Sequence, residues 1–136
     1  MKKLLITLSL LLTSIVVSAQ INWYRTTEFA IKFKEYDAYI GYYWSDWTDW
    51  ERCELNVTFD LSRDIITIYS KETQIYRVLY TDSEPYDSNG KQVKFKVRDQ
   101  DGDYGHVRLR VQNNGASQIY VDFNDVKWVY NVYRVR

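Results

Sequence analysis

Three tryptophans at steps of three residues, Trp44, Trp47 and Trp50, are separated by Ser45-Asp46 and Thr48-Asp49. Indoles beside carboxylates are suited to sugars, because the flat apolar face stacks on a ring while the carboxylate accepts hydrogen bonds from hydroxyls. Trp44, Trp47, Trp50, Asp46 and Asp49 therefore make one candidate binding surface. A protein ligand suits the same surface, since Trp dominates interface hot spots. The plainer alternative is that Trp44 and Trp50 cap the open end of a barrel.

A second constellation is basic. Lys94, Lys96 and Arg98 alternate with Val93, Phe95 and Val97, and His106, Arg108 and Arg110 alternate with Val107, Leu109 and Val111. With the apolar rows turned inward, five fixed positive charges and a histidine share one outer face of one hairpin. Like charges on paired strands destabilise a sheet, so the face needs an offset. That offset is a nearby carboxylate such as Asp122, plain solvation, or an anionic partner such as lipid headgroups or lipopolysaccharide phosphates. The neighbouring arginines disfavour protonation of His106.

Two further groupings carry less. Asp99, Asp101 and Asp103 have the alternate spacing of calcium loops, whose hard oxygens suit that ion. Yet Gly102 comes fourth where an EF-hand places its glycine sixth, and Arg110 stands where the closing glutamate belongs. Asp101-Gly102 reads instead as the tip of a hairpin. For catalysis the chain offers a single histidine, a single cysteine and no serine in a nucleophile-elbow context. Asp46, Asp49 and Glu51 could form a carboxylate pair for glycoside hydrolysis, but nothing sets them across a cleft. The expectation is a non-enzymatic protein with no cofactor and no metal.

The elements that must position these groups are strands. Val93 to Val132 alternates apolar and polar residues with period two, the pattern of half-buried antiparallel strands. Asp101-Gly102 and Asn113-Asn114-Gly115 supply turns between them. Asn124-Asp125 is either a two-residue hairpin turn, with Val121 opposite Trp128, or a bulge in one long strand. Earlier in the chain, Phe29, Ile31 and Phe33 end a first strand. Cys53, Leu55, Val57 and Phe59 form the apolar row of another, over Arg52 to Asp60. Ile65 to Tyr69 and Ile75 to Tyr80 read as a hairpin. Thr81 to Gly90, with Pro85 and Asn89-Gly90, reads as a loop. About eight strands at this spacing predict an all-β antiparallel meander closed as a small barrel or packed as a sandwich.

The N-terminus changes the length that must fold. Lys2 and Lys3 precede an apolar run from Leu4 to Val17 and a small-residue site at Val17-Ser18-Ala19. This is the pattern of a secretory signal peptide over 1–19, leaving one domain over 20–136 and no transmembrane segment after cleavage. Without Lys2 and Lys3 the chain has 16 basic and 18 acidic residues. Near-neutral charge and export argue against nucleic acid as a partner. Cys53 is alone, so no internal disulfide forms, and its place on an apolar row predicts a buried thiol.

The segment DQDGDYGHVRLRVQNNGASQIYVDFNDVKWVYNVYR, together with the leader and WSDWTDWE, resembles an uncharacterised family of small exported β-rich proteins from gut-type bacteria and their bacteriophages. The likeness covers roughly residues 90–136. It implies an exported β domain and, through the phage connection, a role at the host surface, but no ligand or catalytic residue. The reading is a secreted or periplasmic binding module whose partner is an envelope glycan, an anionic lipid or an envelope protein. The alternatives are an assembly protein pairing through a strand edge and a small carboxylate-dependent hydrolase.

Overall fold

The structure, a computed structural model, describes residues 21–87 and 90–136. The expected leader and its cleavage point lie outside them, as does Asn89. The described residues form ten strands: β1 (Asn22–Asp37), β2 (Gly41–Trp44), β3 (Glu51–Arg52), β4 (Asn56–Asp60), β5 (Ile65–Ile68), β6 (Gln74–Asp87), β7 (Gly90–Arg98), β8 (Tyr104–Gln112), β9 (Ser117–Asp122) and β10 (Val126–Arg134). All pairings are antiparallel. Eight strands, β1 and β4 to β10, make a closed barrel because β10 pairs back onto β1. Strands β2 and β3 are additions along β1. The choice between barrel and sandwich thus falls to the barrel, with one long edge remaining among the described residues where β6 runs past β5 and pairs with β7 alone from Leu79 to Asp87.

The meander forms with its apolar rows turned inward, as predicted. Phe95, Val97, Val107, Ile119 and Val121 are buried inside, with Val57, Phe59, Ile66 and Ile68 from the other half. Phe59 joins the two halves, its ring centroid 5.7 Å from Phe95 and 5.5 Å, edge-on, from Tyr24. Eight strands enclose a space that side chains fill, so the barrel is a packed core. Asn124-Asp125 is the hairpin turn: Phe123 donates to the carbonyl of Val126, and Val121 opposes Trp128.

Two segments depart from expectation. Residues 81–87 are the second half of β6, because their backbone pairs with β7 from Phe95 to Gly90. Pro85 falls in the register shift between Glu84 and Asp87, where its missing N–H costs no ladder bond. The row from Cys53 to Phe59 is not one strand. Between β3 and β4 the chain bends around Thr26, whose buried hydroxyl accepts from the Leu55 N–H at 2.8 Å and lies 3.2 Å from the Cys53 carbonyl. This coincides with a bulge in β1 between Thr26 and Glu28. Cys53 consequently sits half-buried against the core, its thiol 3.2 Å from the Thr26 hydroxyl.

One end of the barrel is closed by a stack of rings. Phe123 lies parallel to Trp128 at 6.2 Å and meets Tyr76 at 6.0 Å. Gly105 makes room for it, since a Cβ there would come within 2.9 Å of the Phe123 ring. Trp44 and Trp50 are not the caps; the meander closes its own end.

Candidate functional site

The strand register sets out the outer wall in rows. One row runs Lys94, Arg108, Tyr120, Val129, Ala30 across β7, β8, β9, β10 and β1. The next runs Lys96, His106, Asp122, Lys127, Lys32. The carboxylate foreseen as an offset is present. Asp122 takes a two-pronged contact from Arg108, at 2.6 Å to Nε and 3.3 Å to Nη2. Arg108 is held further by Gln92 at 3.2 Å and by the Tyr120 ring, 4.2 Å below its guanidinium. Asp122 is therefore committed to one cation, while Lys94, Lys96, Lys127 and Lys32 stand around it.

The aromatic segment reaches the same wall by an unusual pairing. After β2, the chain runs beside β1 without forming a ladder. Ser45 and Thr48 donate their N–H groups to the carbonyls of Phe33 and Ile31. Their hydroxyls accept from the Phe33 and Ile31 N–H groups, both at 2.9 Å. Side-chain oxygens thus do what strand carbonyls do elsewhere, which is why Ser and Thr separate the indoles. The Trp47 ring reaches Tyr120 at 6.3 Å, two strands beyond β1. It therefore crosses over Ala30 and Val129, which explains the near-complete burial of both on the outer face. Lys32 and Lys127 place their ammonium groups over Trp47 and Trp44, at 4.6 and 4.4 Å.

The aromatic and basic surfaces meet in one groove of about 580 Å³. Trp44 and Lys34 line one side, Lys94, Lys96 and His106 the other, with Asp122 and Lys127 between them. Its electrostatics favour anions. Desolvation pulls the pKa of His106 down from its ordinary value, helped by Lys94, Lys96 and Arg108 and opposed by Asp122. A negative charge entering the groove would offset the part of this that is due to the cations.

The remaining candidates lie elsewhere. Trp50, Asp46 and Asp49 are exposed and do not line the groove. Arg98 turns back to its own hairpin, donating to the Gly102 carbonyl at 3.3 Å. Arg110 is half-buried one row further down, opposite Gln92 and Gln118. The Asp99 carboxylate accepts from the N–H groups of Asp101 and Asp103, at 2.9 and 2.8 Å, so it folds the turn. Among the described residues no group of three His, Cys, Asp or Glu is placed to hold a metal ion. Lys34, Lys127 and Tyr104 were not singled out from the sequence. The alternation of Lys32 and Lys34 around Phe33 was the available signal, but joining them to Lys96 requires the closure of β10 onto β1.

No family model, curated protein or solved structure matches this chain. The site's own geometry therefore carries the functional reading.

Proposed function

We propose that the chain is an exported β-barrel binding module that takes an anionic, ring-bearing ligand, with a charged glycan of the cell envelope as the best fit. The ring stacks on Trp44, and its carboxylate or sulfate sits among Lys34, Lys96 and Lys127. One observation supports this most: four lysines and an indole converge on a groove in which Asp122, the one carboxylate among the described lining residues, is already engaged by Arg108. In this reading the barrel holds its ligand without turning it over, since Asp46, Asp49 and Glu51 stand exposed along β1 and outside the groove. Assembly through a strand edge is the second reading, because among the described residues β6 pairs with β7 alone from Leu79 to Asp87 and leaves one side of that backbone free.

Retention on immobilised heparin and on neutral dextran tests the proposal. The protein is expected to bind heparin only, to elute as salt screens the lysines, and to lose retention with Trp44→Ala or Lys96→Gln but not with Trp50→Ala. Equal retention on dextran, or indifference to both groove substitutions, would sink it.

A further inference from the structure

Beyond the barrel rim, β1 and β2 continue as a two-stranded arm. Pairing of β1 with β10 ends at Phe33 and Val126, and the arm runs from the Lys34–Trp44 pair to the Asp37–Gly41 pair. Its tip is Ala38-Tyr39-Ile40, closed by Gly41 at φ +84°. The tip is preformed, since Asp37 Oδ1 accepts from the N–H groups of Tyr39 and Ile40, at 2.8 and 3.2 Å. What this rigid tip presents is apolar: Tyr39 is 97 % exposed and Ile40 71 %. Behind it, Tyr36 and Tyr42 touch on one face, with centroids 5.1 Å apart, and Phe33 and Tyr43 are exposed on the other. A bare hairpin gains little stability from such rings, so the packing of the fold does not account for them.

We infer that the β1–β2 arm is an anchor that seats the barrel on a bilayer surface carrying anionic lipids. The distribution of rings favours a bilayer over a protein partner. A protein would cover one face, whereas rings on both faces and at the tip suit a medium that surrounds the arm. Tyrosine, apolar in body and polar at the end, belongs to the interfacial zone. Of the two acids of the arm, Asp37 is turned back into the tip, accepting from the Tyr39 and Ile40 N–H groups. The charges complement an anionic surface: Lys32, Lys34 and Lys127 gather at the base of the arm. Three strand steps place the tip about 10 Å beyond Lys34. That lets the lysines meet headgroup phosphates while Tyr39 and Ile40 reach the acyl boundary, a depth of roughly 5–10 Å.

This inference goes beyond the groove reading, because Tyr39 and Ile40 do not line the groove. It is tested by co-sedimentation with vesicles of phosphatidylcholine containing phosphatidylglycerol, and with phosphatidylcholine alone. The protein is expected to bind the mixed vesicles. The double substitution Tyr39→Ser, Ile40→Ser should lower binding at least about tenfold with an unchanged melting temperature and unchanged heparin retention. Leu61→Ser, at an exposed site at the other end of the barrel, should leave binding as it was. A dye attached through Tyr39→Cys in a Cys53→Ser background should shift to the blue on mixed vesicles. Absence of vesicle binding, binding indifferent to the tip substitutions, or an unshifted dye would overturn the inference. So would tip-dependent self-association without lipid, which would assign the arm to a second copy of the chain.

Discussion

The two halves of the barrel build the groove by different means. The meander from β7 to β10 is regular, and it supplies charge: Lys94, Lys96, His106 and Lys127 project from evenly paired strands. The first half is irregular, and it supplies rings. There β1 bulges at Thr26, and the hydroxyls of Ser45 and Thr48 replace strand pairing beside it. A regular ladder repeats side chains at fixed intervals and suits a field of like charges. An irregular segment can bring a large indole across the wall at one chosen place. The difference shows why neither half carries a site alone.

The strongest way to break the contrast is through the core both halves share. Phe59→Ala removes the ring between Tyr24 and Phe95 and should cost about 3–5 kcal/mol. Denaturant unfolding should show both halves lost in one transition; two separated transitions would mean that they are independent units. Thr48→Val deletes the acceptor of the Ile31 N–H and should cost about 1 kcal/mol. It should loosen the aromatic side alone, seen as faster amide exchange at Ile31 and Phe33 with β8 and β9 unchanged.

Asp122→Asn sharpens the contrast on the charged side. It weakens the partly exposed Arg108 contact, with a stability loss of at most about 1 kcal/mol, yet it should tighten anion binding by removing a carboxylate from the groove. A parallel loss of both would mean that Arg108 positioning matters more than groove charge. The smallest effect is that of pH. The pKa of His106 is lower in the folded barrel than in the unfolded chain, so the unfolded chain binds the proton more readily. The stability it contributes is complete above about pH 6.5 and is lost as pH falls from there toward the lowered folded value. A bound anion offsets Lys94, Lys96 and Arg108, so affinity should rise over the same interval, and His106→Gln should flatten both profiles.

The meander was legible in the sequence because half-buried strands must alternate. Phe95, Val107 and Ile119 announce their face, and Asn124-Asp125 marks a turn by residue type. The polar run from Thr81 to Asp87 concealed a strand, because its pairing to β7 is made by backbone and its side chains show no alternation. The break at Cys53 to Leu55 was hidden for the opposite reason: the apolar row continues while the Thr26 hydroxyl bends the chain. Of the site, Trp44, Lys94, Lys96 and His106 were recognisable as candidates. Their union was not, since it depends on β10 returning to β1 and on two hydroxyls holding the aromatic segment in place. Nor did residue types show that Arg98 would turn to Gly102 or that Trp47 would lie over Ala30.

The most direct test of a single groove built from both halves is calorimetric titration of one sulfated oligosaccharide into the parent protein, Trp44→Ala, Lys96→Gln and the double variant. Both single substitutions should weaken binding, and the double variant should lose less than the two losses added, since ring and charge grip one ligand. Full affinity in either single variant would show that the ligand touches only one half of the wall, and the joint site would be wrong.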